Sequence, residues 1–181
     1  MICWKTINLS RDFGNHRLIS ISIIIMFLSF IIMYVPLSII NENIHLNDNG
    51  LPLFLIGLFI MIPVHIICHA IPAWITSKKT KIRLSFGFMF MPTFQIQYLD
   101  SMGKFIKVLS ILSPTLFITV PLVSASILFP VYMHYLLILA AYNIGLSLTD
   151  YIYLKHLIKA PKKCQIDQTN DTFDILIHRA Q

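Results

Sequence analysis

The sequence predicts an all-α membrane protein that crosses the bilayer about four times, and three observations carry that prediction. They are the composition, four long apolar runs, and the one-sided placement of the basic residues. Of 181 residues, 56% are apolar and only 12% charged, and the mean hydropathy is +0.74, which lies outside the balance of a soluble domain. The runs 18–40, 51–75, 108–129 and 131–149 are each long enough to cross about 30 Å of hydrocarbon as a helix. A chain of this length with four spans is expected to form one polytopic domain over 1–181.

The first run carries no small-x-small cleavage signature and is too long for the apolar region of a cleaved signal peptide, so it is expected to stay as an anchor. The segment 41–50 that follows is polar, with Glu42 and Asp48 but no Lys or Arg. The linker between the second and third runs carries Lys78, Lys79, Lys81, Arg83, Lys104 and Lys107. The third and fourth runs meet near Phe129 and Pro130 without a charge. Assigning linkers alternately to the two sides places all fourteen Lys and Arg on one side. The positive-inside bias makes that side cytoplasmic, together with both termini and the tail 155–181.

The cytoplasmic linker is aromatic-rich and partly alternating from Ile82 to Met91 and from Thr93 to Tyr98, with Pro92 between. This predicts a short pair of strands or a re-entrant element at the membrane surface. The tail predicts a small hairpin around Thr169, Asn170 and Asp171. The net charge of +6 flanks apolar runs, so its expected partner is anionic lipid and not nucleic acid. Cys3, Cys68 and Cys164 form no disulfide or zinc-knuckle spacing. A transporter is disfavoured because the bundle has no paired half and few buried charges.

The second run contains His65 and His69, and residues four apart on a helix share one face. Two imidazoles so placed can hold one zinc ion; they can equally pack inside the bundle, bonded to backbone or to a neighbouring helix. Ionisable groups at membrane depth are costly and usually functional. A third ligand is available in Asp150, at the cytoplasmic end of the fourth run. Two His and one Asp with an open position make a catalytic zinc arrangement, whereas Asp150 alone reads as a helix-end carboxylate at the interface. Pro63 and Pro72 bracket the His pair, either loosening the helix or simply tolerated in it. Ser110, Ser113, Ser124 and Ser126 have no adjacent base and read as packing residues between helices.

These residues resemble the putative zincin peptidases, a family of uncharacterised bacterial membrane proteins that is itself distantly similar to site-two intramembrane metalloproteases. The resemblance spans about Pro63 to Ile177. It rests on the His-x-x-x-His run, on Lys104 to Pro114, on Asn143 to Asp150, and on Ala160-Pro161-Lys162-Lys163. The family's span motif resembles His-Glu-x-x-His, in which the Glu is the general base that takes the proton from the attacking water. Here Ile66 stands at that position and can neither accept nor deliver a proton. The resemblance therefore implies His65, His69 and Asp150 as zinc ligands and no catalytic base: a metallopeptidase-like pseudoenzyme that binds transmembrane segments of other proteins. Two alternatives stay open, an active zinc peptidase with Asp100 or another acid as base, and a small membrane accessory protein without metal. Cys68 faces roughly the same side as the histidines and could bind a metal as thiolate, but it does not replace a carboxylate base.

Overall fold

A computed structural model describes residues 2–42, 44–77, 80–86, 92–98, 102–161, 164–168 and 173–177. The helices are α1 (Leu9–Phe13), α2 (Asn15–Ile40), α3 (Leu51–Ile75), α4 (Lys104–Pro114), α5 (Val120–Leu128), α6 (Met133–Leu146) and α7 (Leu148–Lys159). A π-helical turn, Thr115–Thr119, joins α4 to α5. The strands are β1 (Ile2–Ile7), β2 (Thr80–Phe86), β3 (Pro92–Tyr98), β4 (Met102–Gly103), β5 (Cys164–Gln168) and β6 (Phe173–Ile177).

Three helical stretches, Asn15–Ile40, Asp48–Ile75 and Lys104–Leu128, are long and apolar enough to cross a membrane. The fourth run differs from the uninterrupted span that its composition suggests. It extends to Lys159 as two helices bent by 50° between Leu146 and Leu148, and it counts as a span only if the bent pair is taken together. The exposed faces agree with a lipid environment: Ile24, Ile32, Ile39 and Ile40 on α2 and Leu53 and Phe59 on α3 lie more than half exposed. In water so much contiguous apolar surface would drive aggregation.

The described residues form two compact units. One comprises Leu18–His65 and Pro114–Leu148. Within it, α2 and α6 come close at Gly145, whose absent side chain leaves room for Met26. A Cβ there would lie 3.1 Å from the Met26 Cβ and 3.2 Å from the Ser22 carbonyl oxygen. The Ser22 hydroxyl donates to the Gly145 carbonyl at the same crossing, a small-residue contact with an interhelical hydrogen bond of the kind that membrane helices use. Gly145→Val is therefore expected to cost about 1–3 kcal/mol by overpacking; a thermal-unfolding midpoint in detergent equal to that of the native chain would contradict this contact. At the opposite end of α6, the Asn47 N–H donates to the Val131 carbonyl at 3.1 Å and the Tyr135 hydroxyl to the Asp48 carbonyl at 3.2 Å. These bonds fasten the polar loop.

The second unit comprises Met1–Arg17, Ile66–Ser113 and Thr149–Gln181. Its sheet has the order β1-β6-β5-β4 and is antiparallel throughout. Met102, Ile166 and Ile175 stand opposite one another across three strands, and all three are buried; such cross-strand apolar pairs are what hold a small sheet together. Both expected hairpins form, β2 with β3 and β5 with β6. Pro92 is the first residue of β3, where the missing N–H costs no ladder bond. The tail's turn, 169–172, lies outside the described residues. The N-terminal strand β1 was not expected from the sequence; it pairs with β6. Lys104 ties the sheet to α7, donating to the Ile158 and Ala160 carbonyls at 3.0 and 2.6 Å, which satisfies carbonyls left open at the helix C-terminus.

Candidate metal-binding residues

Two prolines shape this part of the chain by removing N–H donors. In a regular helix the N–H of residue 72 would bond the Cys68 carbonyl, but Pro72 has none. The Ser113 hydroxyl takes that place, donating to the Cys68 carbonyl at 2.6 Å. Likewise Pro114 ends α4 without a donor for the Ser110 carbonyl, so that oxygen is open to other groups. It accepts from the Ser113 hydroxyl at 2.8 Å and from His69 Nδ1 at 2.7 Å. The Ser110 hydroxyl donates in turn to the His69 carbonyl at 2.6 Å. Ser110 and Ser113 were read as packing residues; their hydroxyls satisfy helix carbonyls, which is how proline is tolerated in membrane helices. Pro63, the other residue bracketing the histidines, is part of the same unbroken helix α3.

The hydrogen bonds fix the tautomer of each histidine. A carbonyl oxygen only accepts, so His69 Nδ1 carries the proton and Nε2 the lone pair. His69 Nε2 stands 3.2 Å from Asp150 Oδ2, with the two side chains 15% and 18% exposed. Two acceptors facing each other at that distance repel unless a cation lies between them. The cation is either a second proton, making an imidazolium, or a metal ion. Ligands on a tetrahedral zinc with bonds of about 2.0–2.1 Å stand roughly 3.3 Å apart, so the donor pair fits zinc.

His65 lies in the other unit and is buried, at 7% exposure. Its Nδ1 is 2.8 Å from Asn143 Oδ1. The Asn143 amide nitrogen donates to the Pro114 carbonyl at 3.2 Å and to the Thr119 hydroxyl at 2.8 Å. Because the Pro114 carbonyl only accepts, that end of the amide is the nitrogen, its other end is the oxygen, and His65 Nδ1 is the donor. His65 therefore also presents Nε2 as a lone pair. The contact falls beside the π turn that follows Pro114, where the bonding runs i→i+5, as in Val120 N–H to the Thr115 carbonyl. Such π segments recur at functional sites. Sequence alone assigns Asn143 no role. Its signal is an amide amid the apolar residues of α6.

His65 and His69 lie on one unbroken helix, α3, a turn apart. Asp150 is placed by the break in the fourth run. The Ser147 hydroxyl bonds the Asn143 carbonyl at 2.9 Å, a back-bond of the kind that bends helices, and α7 restarts at Leu148. Asp150 thus sits in the first turn of a new helix, where the positive end of the helix dipole favours a carboxylate. The sequence placed it at the end of an old one. Lys107 on α4 is buried, at 5% exposure, and its charge acts on Asp150; the sequence reading gave it no role at the site.

Of the other candidates, Ile66 is half-buried on α3 and Glu42 is exposed beyond α2. Asp100 lies outside the described residues. Cys68 is buried. Burial pushes the Cys164 thiol up, against the opposing pull of Lys104, so it is a poor source of thiolate.

The chain thus combines helices long and apolar enough to cross a membrane with two histidines on one helix, each hydrogen-bonded to a polar group. The family comparison is specific: residues 58–165, more than half of the chain, match the family described as "putative zincin peptidase", and the chain belongs to that family. The match contains His65, His69, Asn143 and Asp150. Comparison with curated proteins and with solved structures gives no match.

Proposed function

We propose that His65, His69 and Asp150 hold one zinc ion within the membrane domain, and that the protein is a catalytically degenerate zincin that acts by binding transmembrane segments of other proteins. The observation that carries this reading is the His69 imidazole, whose Nδ1–H is committed to the Ser110 carbonyl while Nε2 faces Asp150. Anchoring the far nitrogen on a carbonyl or amide is the usual support of a metal-ligating histidine. A zinc ion, when bound, supplies polarisation of a carbonyl and acidifies a water. The chain's own residues then bind and orient, but at position 66, where the family pattern has its proton-transferring Glu, an isoleucine stands. Metal analysis of the purified chain tests the reading: about one zinc per chain, lost in His69→Ala, supports it, and metal at background in the native chain refutes it.

The second reading, a membrane accessory protein without metal, is favoured by Lys107. It is buried and interacts electrostatically with Asp150, which gives that carboxylate a partner other than a metal. The same metal analysis separates the two.

The proposed orientation has both termini in the cytoplasm. Reporters fused after residue 46 and near residue 130 are expected outside, and those near 80, 103 and 170 inside. An external signal from position 80 would overturn it.

A further inference from the structure

We propose that Lys5, Lys155, His156 and Lys159 form a binding site for the phosphate headgroup of an anionic phospholipid. The four residues come from opposite ends of the chain. Lys5 Nζ lies 3.2 Å from His156 Nδ1, across 151 positions of sequence. Lys155 and Lys159 are the other basic groups whose charge acts on the same imidazole, and Asp12 is the one acid among the described residues that does.

The gathering of like charges has a partial structural reason. His156 and Lys159 lie in the last turn of α7, where the negative end of the helix dipole favours cations. Lys5 is not accounted for that way. It belongs to β1, is exposed, and could extend into water away from the other cations. Instead its ammonium, which can only donate, meets His156 Nδ1, which must then accept. His156 therefore carries its proton on Nε2. The cluster consequently offers donors alone, three ammonium groups and an imidazole N–H, and a phosphodiester offers oxygen acceptors alone.

A lipid, rather than a free anion, follows from the neighbouring elements. Lys5 is separated from the first candidate span only by α1, and Lys159 closes the second arm of the bent pair. Trp4 and Phe13, either side of this segment, are 44% and 40% exposed, as aromatic residues are at the level of lipid headgroups. This assignment is independent of zinc.

The test uses the full chain with Trp74→Phe, so that Trp4 is the one remaining tryptophan of the two. It is reconstituted in phosphatidylcholine vesicles containing a minor fraction of brominated phosphatidylglycerol or of brominated phosphatidylcholine. The glycerol lipid is expected to quench Trp4 more strongly. Lys5→Gln and Lys159→Gln should each weaken that preference about fivefold, as expected for one basic residue at a membrane surface, and Arg11→Gln should leave it unchanged. Equal quenching by the two lipids overturns the proposal. So does an equal loss in Arg11→Gln, which would indicate diffuse charge. Abolition of the preference by inorganic phosphate, at ionic strength matched with chloride, would assign the site to a free anion and overturn the lipid assignment.

Discussion

Ile66→Glu is expected to raise cleavage of a transmembrane reporter substrate by about 10²–10⁴-fold over the native chain, the range that a positioned acid–base group contributes. The position is set by α3, where residue 66 follows His65 directly and lies three before His69, so that 66 and 69 are neighbours on the helix surface. The isoleucine is half-buried there and has no atom that accepts a proton. Peptide cleavage needs both a base for the attacking water and an acid for the departing nitrogen, and one carboxyl group can serve in turn. Ile66→Gln has the size and polarity of the glutamate without its basicity, and should gain nothing. Robust cleavage by the native chain that is abolished by His65→Ala would show that another acid serves, with Asp100 the first to replace.

Asn143→Leu is expected to weaken zinc binding by about 10–100-fold, the usual cost of removing a residue that supports a metal ligand, and to destabilise the chain by about 1–3 kcal/mol through the buried polar groups it orphans. The leucine keeps the volume but takes the acceptor from His65 Nδ1 and the donor from the Pro114 carbonyl and the Thr119 hydroxyl. His65 would then be free to change tautomer or rotate. Asn143→Asp separates the two effects, because it still accepts from His65 but cannot donate to Pro114. It should retain more affinity than the leucine variant. Equal zinc affinity in all three chains, measured by competition with a chromophoric chelator, would remove Asn143 from any supporting role.

The sequence displayed some of these features and concealed others for physical reasons. Apolar runs are local, so spans over 18–40 and 51–75 could be read directly. The break at Ser147 could not, because Leu146-Ser147-Leu148 contains no proline; what accompanies the bend is a back-bond from the Ser147 hydroxyl to the Asn143 carbonyl, a contact that bends helices. β1 escaped notice for a similar reason: a six-residue strand is stable only through its partner β6, at the other end of the chain. The candidate ligands were visible as residue types at helical spacing. Their anchors were not, since Asn143 meets His65 across 78 positions and Ser110 meets His69 across 41. Pro72 and Pro114 were visible as missing donors. Which groups would take the freed carbonyls depends on helices meeting in space.

X-ray absorption at the zinc edge tests the central claim most directly. For the purified native chain the account predicts one zinc with two imidazole nitrogens at about 2.0–2.1 Å and a carboxylate oxygen at about 2.0–2.2 Å, and no sulfur. A scatterer at about 2.3 Å would instead place a cysteine thiolate, with Cys68 the first to replace, on the metal, and that result, or a chain purified without zinc, would contradict the assignment of His65, His69 and Asp150.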